Sequence, residues 1–254
     1  MKRWIASVVT LMGALGLVMF GDDLVGVMMV INAQPGETLA DITDVRWSIM
    51  SAMALLIGLI LSSLAPAKPT NSPVGKRLLV LSGVLLFCGA LPLAWGMLNA
   101  IQSYNVIATS GATTTAAELL EAVDYSKFIM TVGYLLFLGS AVLLLVESSL
   151  CLGDRTSSTE LKPAVLNSKF SLVSMILCIG LLIVSVFTCL HSQALDGMLP
   201  YSDEPPQAAD LSGSIWGILN KSFIIFAGLA IIGLLQILKA ACTPAVIAKS
   251  DPSD

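Results

Sequence analysis

Long apolar blocks, separated by short polar stretches, set the pattern of this chain. The blocks cover residues 4–21, 47–65, 78–100, 128–146, 170–190 and 222–238. Each is close to the ~20 residues that an α-helix needs to cross ~30 Å of hydrocarbon. None shows the strict apolar/polar alternation of a half-buried strand or the narrow stripe of a solvated helix. The pattern predicts an all-α polytopic membrane protein with six transmembrane helices.

Composition agrees with this reading. Of 254 residues, 56% are apolar and 12% charged, against about 25% charged in an ordinary soluble domain. The net charge of -4 matters less than its distribution, because Lys and Arg in short loops orient membrane helices. With six spans, one side holds ten basic residues against five acids, a balance of +5. The other holds Arg46, Lys127 and Lys221 against twelve acids, a balance of -9. Both termini are therefore expected on the cytoplasmic side. Met1 to Phe20 has a basic start and an apolar stretch, but no Ala-x-Ala-like site follows, so it is read as an uncleaved first helix.

The spans pair into three diverged hairpins. Each begins at a basic anchor (Lys2-Arg3, Lys76-Arg77, Lys169), runs outward, and crosses an acidic loop. Each return helix starts at one basic residue: Asp44-Val-Arg46-Trp47, Asp124-Tyr-Ser-Lys127-Phe128 and Asn220-Lys221-Ser-Phe223. Hairpins are assigned to 1–66, 76–150 and 168–240, with a cytoplasmic tail at 241–254. Before the return helices, Glu37-Thr-Leu-Ala-Asp-Ile, Ala116-Ala-Glu-Leu-Leu-Glu and Gln207-Ala-Ala-Asp-Leu-Ser could start interfacial turns or lengthen the helix that follows.

Charged groups at mid-bilayer are costly and mark function by default, yet none falls there. Glu147 closes the fourth span and reads as a hydrated end, as do Asp22 and Asp23. Asp44 with Arg46, and Asp124 with Lys127, are candidate outer-interface pairs: acids suit helix starts, and long basic side chains reach the headgroups. His191 is the single histidine, without a Cys, Asp or Glu constellation around it. The five cysteines place no pair in an outer loop. No Gly-x-Ser-x-Gly, His-Glu-x-x-His, phosphate loop or dinucleotide fingerprint occurs. These features argue against an enzyme and call for no cofactor or metal, and the scattered basic residues argue against nucleic acid. Pro92 should kink the third span by freeing a carbonyl.

The second hairpin, Gly89-Ala-Leu-Pro-Leu-Ala-Trp-Gly-Met-Leu-Asn-Ala-Ile-Gln-Ser103 with Phe128-Ile-Met-Thr-Val-Gly133, resembles the last helix pair of MotA/TolQ/ExbB proton-channel subunits. The first hairpin is similar in Ser48-Ile-Met-Ser-Ala-Met-Ala-Leu-Leu-Ile-Gly58. The linkers here are short where that family carries a large cytoplasmic helical region. The resemblance implies an ion-driven component whose proton-carrying carboxylate belongs to a single-pass partner. Thr131 and Ser51 would then be the hydroxyls of a candidate polar path. The residues alone also accommodate a structural membrane scaffold and a small-solute transporter. The expectation is a non-enzymatic subunit of a larger complex, oligomeric or bound to other membrane proteins, in a bacterial inner membrane.

Overall fold

A computed structural model describes residues 2–32, 42–65, 73–110, 116–153, 165–198 and 208–242. Almost all of them are helical. The helices are α1 (Lys2–Phe20), α2 (Asp23–Gly26) with a following 3-10 turn (Val27–Asn32), α3 (Ile42–Leu64), α4 (Pro73–Ser110), α5 (Ala116–Gly153), α6 (Val165–Met198) and α7 (Ala208–Ala241). Six of the seven are long and apolar enough to cross a membrane. In lipid a helix satisfies its own backbone polar groups, which is why apolar runs of this length settle as helices.

The ends differ from the apolar blocks in an informative way. α4 and α5 have 38 residues each, about 57 Å at 1.5 Å per residue, well beyond the hydrocarbon. Polar stretches such as Gln102 to Ser110 and Ala116 to Asp124 continue the helices outside it. The Ala116 and Ala208 stretches therefore lengthen α5 and α7, while the Glu37 stretch lies outside the described residues. Pro92 sits inside α4, which continues as helix on both sides of it.

Each long helix packs chiefly on two others, and the pairs close a ring in the order α1, α3, α6, α7, α4, α5. The hairpins α1/α3, α4/α5 and α6/α7 keep their own partners. The return helix of each then packs on the outgoing helix of another. This repeats a rough three-fold pattern, with the hairpins running first, third, second around the ring. Neighbours are antiparallel throughout: Lys76 meets Ala241 and Tyr104 meets Ser212, Ser7 meets Leu144 while Gly21 meets Tyr134. One rim collects Arg3, Lys76, Lys169 and Lys239, and the opposite rim collects Asp22, Asp124, Lys127, Asp196 and Lys221. We call these the basic and acidic rims.

The seams use small residues. A Cβ on Gly89 would come 2.9 Å from the Gly133 carbonyl oxygen, and one on Gly133 would come 2.6 Å from that of Gly89. These backbones are in direct contact, as small residues allow between membrane helices. Nearer the basic rim in the same seam, Ser82 and Ser140 donate to each other's carbonyls at 3.2 and 2.9 Å. Gly83 and Gly233 do similar work between α4 and α7, and Gly228 admits Leu181 of α6.

The ring is filled. α2 and the 3-10 turn together touch α3, α5 and α7, which are alternate members of the ring, so this short segment lies on its axis. Leu24, Val25, Val27, Met28 and Val30 are all buried there. Nearer the middle, Tyr134 of α5 and Phe226 of α7 meet edge to face with centroids 6.4 Å apart. The two helices are not ring neighbours but both flank α4, so this pair lies inside the ring.

The outer surface has the opposite character. On α6, Leu172, Ile176, Ile179, Ile183, Val186, Phe187 and Leu190 are exposed, whereas Ser174, Cys178, Ser185, Thr188 and Ser192 are buried. An apolar exterior of this extent suits a lipid solvent rather than water.

Candidate functional site

Among the described residues, the charged side chains of the ring gather at two levels. At the basic rim, Glu147 of α5 is buried and lies 3.6 Å from the Arg3 guanidinium of α1. Lys239 of α7 is close enough to feel the Arg3 charge. Glu147 is thus not the hydrated helix end that the sequence suggests: α1 brings a cation across to it, so the carboxylate can leave water.

The acidic level is richer. Arg46 of α3 pairs with Asp196 of α6; the Asp44 side chain lies outside the described residues. Ser48 donates to the Phe20 carbonyl across the α1/α3 seam. Asn99 Nδ2 of α4 donates to Ser126 Oγ of α5 at 3.0 Å. His191 Nδ1 of α6 lies 3.0 Å from Lys221 Nζ of α7. An ammonium has only protons to give, so Nδ1 accepts and the ring proton sits on Nε2.

On the α1/α5 seam the Thr131 hydroxyl donates to the Lys127 carbonyl at 2.9 Å and stands 3.5 Å from Asp22 Oδ1. Thr131 is exposed on the outside of the ring, and Asp124 is exposed near the start of α5. Ser51 lies elsewhere, on the α1/α3 seam, donating to the Trp47 carbonyl at 2.7 Å; a Cβ on Gly16 would run into it. The two candidate hydroxyls therefore occupy separate seams. Lys127 is drawn to Asp22. Pro92, partly exposed, touches neither polar level through any described hydrogen bond.

Asp22 begins the turn that carries the chain over the axis. Burial pushes its carboxyl above the ordinary 3.8, while Lys127 and the Thr131 hydroxyl pull it down by less. The folded chain thus holds this proton more tightly than the unfolded chain. The corresponding stability is complete below the unfolded value and disappears as pH rises through the folded one. At neutral pH the ionised carboxylate costs stability. Asp22→Asn should accordingly raise Tm at pH 7 and lose that advantage as pH falls to about 4. An equal gain at both pH values would mean that charge burial is not the cause.

Among the described residues, no grouping of three or more His, Cys, Asp or Glu is placed to hold a metal ion. Sequence reasoning missed the pairing of His191 with Lys221 because the two are 30 residues apart. It also missed the buried hydroxyl stripe of α6. That stripe was legible: Ser174, Cys178, Leu181, Ser185, Thr188 and Ser192 recur every three or four residues, the period of a helix seam.

Comparison with protein-family models, with curated proteins and with solved structures finds no match to this chain.

Proposed function

We propose that this protein is a non-enzymatic, multi-pass subunit of a larger assembly in a bacterial inner membrane, with both termini cytoplasmic. The observation that carries the reading is the filled axis. The segment 23–32 and the Tyr134/Phe226 pair occupy the centre that a conducting or transporting ring would keep polar or open. Polar side chains instead tie hairpin to hairpin: Arg3 with Glu147, Arg46 with Asp196, Tyr104 with the Ser212 carbonyl. The apolar exterior supplies the surface for lipid and for other membrane proteins.

Thr131 favours a second reading, an ion-driven component similar to MotA/TolQ/ExbB subunits. It faces away from the filled axis, where a carboxylate-bearing helix of a single-pass partner could meet it. Both readings predict companions that survive purification from native membranes in mild detergent, identified by mass spectrometry. The isolated chain in liposomes should pass no ions. Crosslinking of Thr131→Cys to a single-pass partner with a membrane aspartate selects the second reading. Ion flux through the isolated chain, or a native protein without companions, would defeat the subunit proposal.

A further inference from the structure

We infer that His191 and Lys221 form a proton-sensitive latch that holds α6 to α7 at the acidic rim and releases it when the imidazole is protonated. The imidazole is seated in a notch on α7. A Cβ at Gly217 would come 2.5 Å from His191 Nδ1 and 2.9 Å from its Cε1, so only a glycine admits the ring there. The same Cβ would lie 3.6 Å from Lys221 Nζ, one helical turn along. Ring and ammonium thus share one notch, 3.0 Å apart, in a bond that exists only while Nδ1 is unprotonated. Protonation removes the acceptor and leaves two cations in contact.

The other two hairpins fasten this level differently. In the first, Ser48 donates to the Phe20 carbonyl, and in the second, Asn99 donates to Ser126. Neither bond contains a group that titrates between about pH 5 and 8. In the third, the corresponding return-helix serine, Ser222, makes no hydrogen bond, and neither does Ser192 beside His191. These hydroxyls therefore do not duplicate the latch. α6 is also the least buried of the six spans, so it has the least packing to hold it when a polar contact fails.

The charged groups on the helices packed against α6 do not take over the imidazole. On α7 the charge acting on His191 is Lys221. On α3, Arg46 engages Asp196, the carboxylate of α6 nearest His191 in sequence, and its charge also reaches Cys189. Lys169 and Lys239 stand at the opposite rim. The side chains of Asp44 and Asp210 lie outside the described residues. His191 is one residue beyond the apolar block at 170–190. With Lys221 in contact, the folded chain resists a proton that the unfolded chain takes up freely. The stability contributed by the latch is therefore complete above about pH 6.5, the ordinary imidazole value, and is lost as pH falls below it. Which compartment is sensed rests on the topology proposed above, which puts this rim outside; the latch itself does not.

The test uses the full-length protein in mild detergent, where both rims meet the same buffer. Spin labels are attached at Gly197→Cys on α6 and Gly213→Cys on α7, with the five native cysteines replaced by serine or alanine. Nothing lies within 4 Å of either Cβ position. Pulsed dipolar spectroscopy should show the interlabel distance lengthening and broadening from pH 7.5 to pH 5. His191→Asn keeps a neutral acceptor and should give one distribution at both pH values. Lys221→Met removes the second cation and should behave likewise, so each variant is decisive without the other. Because His191 is the single histidine, Tm gives a parallel reading: without labels, the unaltered protein should lose several degrees more than His191→Asn over the same pH step. An interlabel distance that ignores pH when His191 and Lys221 are both present would overturn the latch, as would the same acid lengthening in the two variants.

Discussion

Tyr134→Ala should destabilise the protein strongly, by about 3–5 kcal/mol, the usual range for removing a large buried aromatic side chain. The side chain is 1% exposed. Inside the ring it meets Phe226 and donates its hydroxyl proton to the Gly21 carbonyl at 2.8 Å. Truncation removes both links and opens a cavity where α5, α7 and the end of α1 converge. Gly21 leaves no slack for repair by sliding, because a Cβ there would already overlap the tyrosine ring. In a chain of this length the loss lowers Tm by about 6–20 °C, read from heated detergent samples on a sizing column. Tyr134→Phe separates the two contributions. It keeps the ring and forfeits the hydrogen bond, costing about 1 kcal/mol. If Tyr134→Ala unfolds at the same temperature as the unaltered protein, the axis is not packed as described.

The second large effect is expected at Gly13. A Cβ on this residue would overlap the Leu55 amide nitrogen and come 2.7 Å from the Ser51 carbonyl oxygen. Both obstacles are backbone, so no side chain can turn aside. Gly13→Ala must push α1 away from α3, with a cost at or above the upper end of the ~1–3 kcal/mol usual for overpacking. Gly180→Ala is the control. Nothing lies within 4 Å of its Cβ position, and alanine is the better helix former, so Tm should hold or rise. Similar responses at the two positions would show that the α1/α3 crossing is looser than its contacts imply.

Much of this architecture was legible in the sequence, because lipid imposes one demand on every span: length and apolarity. The six long apolar helices follow from that demand. What was hidden depends on contacts distant in sequence. Glu147 looked hydrated because it ends an apolar block, and only the arrival of Arg3 from α1 explains its burial. Arg46 reaches Asp196, 150 residues away in the chain. The axial segment could have been suspected from Leu24-Val-Gly-Val-Met-Met-Val-Ile31, an apolar run too short to span and ill-suited to a loop in water. The extra turns at the end of α4 escaped because apolar blocks report where lipid touches a helix, not where the helix ends. The hairpin order around the ring was not readable at all, since contacts such as Ser7 with Leu144, Arg46 with Asp196 and Tyr104 with Ser212 specify it between positions 108 to 150 residues apart.

That hairpin order has a consequence for biogenesis. A chain emerging from its N-terminus inserts the first hairpin, then the second, and these two are neighbours through the contacts of α1 and the axial segment with α5. At that stage the wall is an open C. Its free edges are α3, with Arg46 still lacking Asp196, and α4, with the Tyr104 hydroxyl still lacking the Ser212 carbonyl. The third hairpin is the keystone, because α6 fits one edge and α7 the other. A ribosome that stalls before residue 165 therefore leaves in the bilayer an unclosed arc with two adhesive borders, a natural substrate for membrane chaperones and quality-control proteases.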